Sequence, residues 1–269
     1  MAGALVVCCA IPSVARAQLP LEPMRESGQS ITAAYEGWFR NADGTVSLLV
    51  GYFNRNSKET LDIPIGPNNR IEPGGPDMGQ PTHFLPRRNW GVFQIELPAD
   101  FGDQKLTWTI VANNQITEIP MGLDPLWEVR PYREDTMGNT PPAIRFEPDG
   151  PGAQGPPSGI VHEYTASVSA PLPLTVWATD DNIVDSNRRP LEGPPLRLFW
   201  SKYRGPGDVT FADPRPLPAE QSGKATTTAT FGASGEYLLR VQGNDVTRDG
   251  GGGSQCCWTN AHVRVTVTP

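Results

Sequence analysis

Two alternating runs near the end of the chain constrain its fold more than any other feature. The first, 235–245, reads Gly-Glu-Tyr-Leu-Leu-Arg-Val-Gln-Gly-Asn-Asp, and the second, 261–267, reads Ala-His-Val-Arg-Val-Thr-Val. Successive residues of a strand point to opposite faces of a sheet, so a period of two predicts two strands with one buried face each. The glycine-rich stretch between them predicts a connecting loop. Val263 and Val265 are then expected to face the core, whereas His262 is expected to face solvent.

Similar runs fill the rest of the second half. The segment 163–168 predicts an opening strand, 174–179 and 196–200 alternate apolar and polar residues, and 225–231 is a threonine-rich strand suited to an exposed face. No helical period interrupts them. The sequence therefore predicts an antiparallel β-sandwich over 159–269.

The first half shows the same pattern. Residues 31–40 and 45–53 predict a hairpin around an Asn-Ala-Asp-Gly turn, 61–65 predicts a third strand, and 66–89 predicts a long loop. A second hairpin, 106–119, turns at Asn113 and Asn114. About six strands without a helix indicate a small sandwich or half-barrel over 30–120.

A connector separates the two halves. Residues 121–158 are rich in proline and glycine, a composition that stiffens and extends the backbone. The chain as a whole carries 28 glycines and 29 prolines, which here separate strand-like runs and therefore mark turns. The sequence predicts an all-β protein of two tandem antiparallel β-sandwich domains joined by a Pro/Gly-rich linker.

The second half also resembles a known family. Leu-Phe-Trp-Ser-Lys-Tyr-Arg-Gly-Pro-Gly-Asp-Val-Thr-Phe over 198–211, followed by Thr-Phe-Gly-Ala-Ser-Gly-Glu-Tyr-Leu-Leu-Arg-Val over 230–241 and by Asn244-Asp245, is similar to PKD-type immunoglobulin-like domains of exported bacterial proteins. Gly-x-Tyr at the head of the first terminal run is typical of a tyrosine corner. The resemblance implies a fold and no particular activity, since such domains serve as spacers, adhesive modules and enzyme appendages. The loop that carries Cys256 and Cys257 is expanded relative to the family.

The amino terminus predicts export. Residues 4–11 form an apolar run, and Ala15-Arg16-Ala17 supplies small residues before Gln18, so 1–17 resemble a signal peptide. They lack the usual positive charge before the apolar run, and the alternative is a frayed apolar terminus. No later stretch of about 18 apolar residues predicts a spanning helix. We expect a secreted, periplasmic or cell-surface protein.

Charge and motifs disfavour several functions. A net charge of −7 without a basic face argues against nucleic-acid binding. The three histidines lie far apart in sequence, and neither a nucleophile elbow nor a phosphate-binding glycine loop is present. We therefore expect a protein that is not an enzyme and has no established cofactor.

Aspartates near two loops suggest a calcium site. In an immunoglobulin-like sandwich the loop after the second strand and the loop before the last strand lie at the same end. These loops contain five aspartates, of which Asp180, Asp181 and Asp245 are the best candidates; Asp185 and Asp249 are the others. Calcium prefers such oxygen ligands, although aspartates also cap turns without binding metal.

Cysteines and aromatic residues give two further candidates. Removal of 1–17 would take Cys8 and Cys9, leaving adjacent Cys256 and Cys257, which can form a vicinal disulfide, stay reduced or join another chain. A disulfide beside Trp258 would make a platform on which a sugar could stack, or would anchor the long loop. In the first half, tryptophans and Tyr132 indicate either a sugar-binding face or ordinary packing in the core or at a domain interface; the tryptophans are Trp38, Trp90, Trp108 and Trp127.

The function expected from these features is that of a non-catalytic structural or adhesive module of the cell envelope or extracellular space. Its partner would be a protein or a glycan at the cell surface, with self-association through an open sheet edge as a further mode. The alternative is a carbohydrate-binding module or an accessory domain of a glycan-degrading system.

Overall fold

The protein folds into two β-sandwiches. A computed structural model describes residues 25–135, 137–183, 193–245, 247 and 256–269. Within these ranges the regular structure is β-strand, apart from a short 3-10 helix at Pro125–Trp127, and no helix there is long and apolar enough to cross a membrane. The expected all-β class with two tandem sandwiches is confirmed. The predicted signal peptide, with Cys8 and Cys9, lies outside the described residues.

Eight strands form the first sandwich. They are β1 (Ile31–Arg40), β2 (Val46–Asn54), β3 (Leu61–Asp62), β4 (Asn69–Glu72), β5 (His83–Phe84), β6 (Arg87–Leu97), β7 (Leu106–Ala112) and β8 (Gln115–Met121). One sheet has the order β1-β2-β6 and the other β4-β7-β8, while β3 and β5 form a separate pair. All of these pairings are antiparallel.

The core of the first sandwich lies between its two larger sheets. Val50 and Phe93 come from one sheet and Trp108 from the other, and all three are at most 2 % exposed. Phe93 meets Trp108 edge to face at 5.2 Å between ring centroids, a favoured aromatic geometry. The predicted hairpins at 31–53 and 106–119 are both present.

The second sandwich contains the remaining strands. They are β9 (Ala143–Arg145), β10 (Gly152–Gln154), β11 (Ile160–Ser167), β12 (Leu172–Thr179), β13 (Arg197–Arg204), β14 (Val209–Phe211), β15 (Lys224–Phe231), β16 (Gly235–Asn244) and β17 (Trp258–Thr268). One sheet has the order β10-β9-β12-β15-β14 and the other β11-β17-β16-β13. The last strand runs antiparallel to β16 and parallel to β11.

This strand order is that of an immunoglobulin-like sandwich. Strands β9, β12, β15 and β14 correspond to the A-B-E-D sheet, and β13, β16 and β17 to the C-F-G sheet. Trp200 on β13 is 1 % exposed, which matches the buried tryptophan typical of the third strand. Tyr237 donates a 2.8 Å hydrogen bond from Oη to the carbonyl of Ala233, which forms the expected tyrosine corner.

Three segments differ from the sequence predictions. The stretch 66–89, expected to be a long loop, contains β4, β5 and the start of β6, because short strands among prolines leave too few residues to show a period of two. The predicted strand 61–65 is reduced to β3, Leu61–Asp62. Within the proline-rich connector 121–158, β9 and β10 pair with each other, and β9 also pairs with β12.

Candidate functional site

The structure brings the three candidate calcium ligands to one end of the second sandwich. Asp180 and Asp181 follow β12, and Asp245 follows β16. Burial raises the pKa of the Asp180 carboxyl, and the nearby charge of Asp245 raises it further. The other two aspartates of the hypothesis, Asp185 and Asp249, lie outside the described residues. We call Asp180, Asp181, Asp245 and the neighbouring Asn139 the acidic pole.

Asn139 joins the two acidic loops. It is fully buried, and its side-chain Nδ2 donates a 2.6 Å hydrogen bond to Oδ2 of Asp245. The next residue, Thr140, donates from its backbone N and from Oγ1 to Oδ2 of Asp181, at 2.9 and 2.8 Å. The sequence analysis missed Asn139 because it lies in a proline-rich segment that reads as a linker, and no motif marks it.

The surroundings of the Asp180 carboxyl disfavour its ionised form. Burial is the largest cause that raises its pKa to about 6, and the charges of Asp245 and Asp181 add to it. Its Oδ2 accepts a hydrogen bond from the backbone N of Asn182 at 3.0 Å. Its Oδ1 is buried without a hydrogen-bond partner, as is Oδ1 of Asn139.

These donors fit a calcium ion only in part. Two buried oxygens lack partners, which a cation would satisfy. However, both carboxylate oxygens of Asp181 already accept backbone hydrogen bonds, and Oδ1 of Asp245 accepts from the backbone N and Oγ1 of Thr247. No group of three or more acidic, histidine or cysteine side chains in the described ranges is arranged to hold a metal ion. Calcium binding therefore stays a prediction.

The two adjacent cysteines form a vicinal disulfide, which resolves the alternatives left open by the sequence. The peptide between them is cis, and their Cα atoms are 3.1 Å apart. Both sulfurs contact the backbone carbonyl of Asn139, at 3.8 Å for Cys256 and 3.4 Å for Cys257. The disulfide thus packs against the same residue that joins the acidic loops.

The proposed ligand platform is buried. Cys256, Cys257 and Trp258 are 4 %, 0 % and 2 % exposed. A sugar stacks on an exposed ring or surface, so these side chains cannot receive one in the packed structure. The indole of Trp258 instead packs with Phe39 and Leu49 of the first sandwich.

A second candidate region is the interface between the sandwiches. The outward face of β13, β16 and β17 packs against the first sandwich, and we call this contact the domain interface. Asn260 on β17 donates from Nδ2 to the carbonyl of Gly91 on β6 at 2.7 Å. Gly91 has a φ of +41°, and a Cβ there would run into the ring of Trp258. The close approach of the two sheets thus depends on a glycine.

Strand β13 carries further contacts across the domain interface. Arg204 donates from Nη1 and Nη2 to both carboxylate oxygens of Asp77, at 2.9 and 2.8 Å. Nζ of Lys202 lies 3.1 Å from Oδ1 of Asp62. Tyr203 falls at an irregularity in the pairing of β13 with β16, and its Oη donates to the carbonyl of Gly79 at 2.5 Å. Its ring belongs to the core cluster of the first sandwich.

The expectation that His262 is solvated is wrong. The side chain does point away from the core of its own sandwich, yet it is only 7 % exposed because the first sandwich covers that face. Its ring lies 4.2 Å from the ring of Tyr203, centroid to centroid. Burial and the charges of Arg240 and Arg204 lower the pKa of His262 to about 3.

The aromatic residues of the first half divide into two groups. Trp38 and Trp108 are buried at 3 % and 0 % exposed, which agrees with core packing. Trp127 and Tyr132 are about half exposed, and Trp127 stacks on Tyr35 with ring centroids 5.5 Å apart. The remaining candidate, Trp90, is partly buried against the cluster of Phe39, Leu49 and Trp258, with the guanidinium of Arg88 over its ring. Of the five candidates, Trp127 and Tyr132 therefore offer the most exposed surface to a ligand.

Comparisons with known proteins assign no family. No protein-family model matches the chain, and no curated protein matches its sequence. Among solved structures, the D00-D0 domain of intimin gives a TM-score of 0.26 at 13 % identity, covering 88 % of this chain and 100 % of that one. The titin tandem domains A164-A165 give 0.24 at 10 %, covering 89 % and 99 %. Domains 4 and 5 of the S-layer protein SbsC give 0.25 at 10 %, covering 90 % and 98 %. Because these TM-scores and identities are low, the fold is assigned from the strand order of this chain.

Proposed function

We propose that this chain is a non-catalytic structural or adhesive module that is exported to the cell envelope or the extracellular space. The observation that carries the proposal is the domain interface, where two β-sandwiches are fixed against each other by buried side chains of both. A module that spaces or presents a partner needs a defined orientation of its domains. This chain obtains one from side-chain contacts as well as from its proline-rich connector.

Several contacts support a fixed orientation. The paired hydrogen bonds between Arg204 and Asp77 define both distance and angle, because a planar guanidinium meets a planar carboxylate. Trp258 packs in one cluster with Phe39 and Leu49, and large aromatic anchors contribute most to the stability of such contacts. The PKD-type resemblance, export through residues 1–17 and a protein partner belong to the same proposal.

Electron–electron distance measurements test the fixed orientation. Spin labels at exposed sites on the two sandwiches, for example Asp103→Cys and Glu220→Cys, are expected to give one narrow distance distribution at pH 7.5. Two labels within one sandwich, at Asp103→Cys and Glu118→Cys, give the reference width for a rigid body. A distribution between the sandwiches several times broader than this reference would contradict the proposal.

A second candidate function rests on Trp127. Its indole is 49 % exposed and is supported from behind by the ring of Tyr35, which is how an aromatic platform for a sugar is built. The carbohydrate-binding alternative would therefore place the glycan on this ring. Glycan-array binding by the full chain that Trp127→Ala abolishes, while Tyr132→Ala leaves it in place, would favour this function. An array without any bound glycan would leave the structural role as the proposal.

A further inference from the structure

His262 lies in the domain interface, and one of its ring nitrogens has no hydrogen-bond partner. The ring forms a hydrogen bond with the backbone of Val92 on β6, in the first sandwich. Its Nε2 is buried and lacks any hydrogen-bond partner. A neutral imidazole tolerates this environment, because an unprotonated nitrogen without a partner costs far less than a buried charge.

The groups around the ring make a positive charge on the imidazole of His262 costly. Arg240 on β16 is its direct cross-strand neighbour and is 3 % exposed. Arg204 and the ring of Tyr203 come from β13, and both arginines act on His262 in the direction that disfavours a proton. The hydrogen bond to Val92 is the one contact that favours the protonated form.

The acids near this region are already paired with other bases. Asp77 binds Arg204, and Glu36 binds Arg88 at 2.6 Å beside Gly91. From β2, the hydroxyl of Tyr52 is neutral, because burial raises its pKa to about 12. None of these acids is among the groups that act on His262, so a proton there would gain no carboxylate partner within the described part of the chain.

We propose that His262 makes the domain interface acid-sensitive, so that a proton on its imidazole favours separation of the two sandwiches over the packed arrangement. When the sandwiches separate, the imidazole reaches water and can be protonated on both nitrogens. Arg240 and Arg204 stay on the same sheet as His262, but water then screens their charges. Apart from Tyr203, which packs into the first core, the buried residues of each hydrophobic core come from one sandwich, so separation does not require either core to unfold. The inference goes beyond the proposed structural role, since a fixed orientation at neutral pH does not depend on it.

The difference between the pKa values of His262 in the packed and separated states gives the sign and size of the pH effect on packing. The pKa of His262 is lower in the packed state than its ordinary value of 6.5, so the packed state binds fewer protons than the separated one. Packing is therefore fully favoured above pH 6.5 and weakens as the pH falls towards about 3. Between pH 7.5 and 4.5 the equilibrium constant for separation is expected to rise about 100-fold.

Hydrogen exchange of the full chain tests this inference. Peptides that cover 87–93 and 258–264 report on the interface, and peptides that cover 174–178 and 225–231 report on the core of the second sandwich. Wild type and His262→Gln are compared at the same pH, which cancels the intrinsic pH dependence of exchange. We expect the interface peptides of wild type to lose protection between pH 7.5 and 4.5, those of His262→Gln to keep it, and the core peptides to stay protected in both.

His162 supplies a matched control, since it lies in β11, away from the domain interface. His162→Gln is expected to open with the same pH midpoint as wild type. His83 does not serve as a control, because its partner Asp62 also contacts Lys202 across the interface. The same loss of protection in His262→Gln as in wild type would overturn the inference, as would core peptides that open together with the interface.

A measurement on the wild type alone guards against a variant that does not fold. Ring resonances of histidines labelled with ¹⁵N report the protonation of each imidazole. We expect His262 to gain its proton with the same midpoint at which the interface peptides lose protection. Protonation of His262 near pH 6.5 while those peptides stay protected would contradict the inference.

Discussion

Nδ2 of Asn139 lies 2.6 Å from Oδ2 of Asp245, although 106 residues separate the two in sequence. This hydrogen bond ties the segment before β9 to the loop after β16. It leaves Asp180, whose carboxyl faces two other acids, as the residue with the least favourable charge at the acidic pole.

Asp180→Asn is expected to stabilise the protein at neutral pH. The pKa of Asp180 is raised to about 6 from the ordinary 3.8, so the folded state prefers the protonated carboxyl. The stability that this carboxyl contributes is complete below pH 3.8 and is lost as the pH rises through 6. An amide resembles the protonated form, so the variant should gain about 1 kcal/mol at pH 7.5 after allowance for solvent screening.

Urea denaturation at several pH values checks this gain. The difference between variant and wild type should disappear at pH 3.5, where both side chains are neutral. A variant that is less stable than wild type at pH 7.5 would show that the charge of Asp180 is needed, for instance by a bound cation.

Calcium binding at the acidic pole gives a separate prediction. If Ca²⁺ at millimolar concentration binds the folded chain, the melting temperature should rise by several degrees, because a ligand at 100 times its dissociation constant adds about 2.7 kcal/mol. Asp180→Asn should remove the response, whereas Asp103→Asn, the same change on an exposed loop, should retain it. Calorimetric titration that releases no heat with millimolar Ca²⁺ would exclude the site.

Gly91→Ala is expected to weaken the domain interface at neutral pH. A methyl group there would overlap the ring of Trp258, and a φ of +41° adds backbone strain. Gly44→Ala is the matched control, since Gly44 also has a positive φ of +90° but has open space around it. We expect Gly91→Ala to lose about 1–3 kcal/mol more than the control and to expose the interface peptides to exchange at pH 7.5. Equal losses in both variants would mean that the contact with Trp258 can relax.

Tyr237→Phe tests the tyrosine corner. The change removes the hydrogen bond from Oη to Ala233 and leaves the ring in place, so the cost should be about 1 kcal/mol. Tyr132→Phe, at a ring that is 45 % exposed, should change stability little. Chemical denaturation of both variants gives the comparison, and an unchanged stability for Tyr237→Phe would assign the corner no energetic role.

The strands could be predicted from the sequence because each presents one apolar face to a core. The alternation of Tyr237, Leu239 and Val241 marks β16 without any other information. The same reasoning correctly predicted that His262 lies on the outer face of β17. It did not predict that this side chain is buried. A period of two shows which face a side chain occupies but not which part of the chain covers that face.

The candidate site was predicted in part for a similar reason. The two loops with Asp180 and Asp245 could be brought together from the strand order of the resembling family. Asn139 could not, because its role comes from the packing of a proline-rich segment that has no periodic pattern. Burial of Trp258 likewise depends on the position of the first sandwich, which no local pattern encodes.

The parallel pairing of β11 with β17 determines how the second sandwich would respond to tension. Ile160 begins one strand, and Thr268 ends the other at the opposite end of the pair. A pull on these two points acts along both strands, so the hydrogen bonds between them are sheared simultaneously rather than opened one after another. A force applied between these two residues is therefore resisted by the whole set of hydrogen bonds that joins β11 to β17.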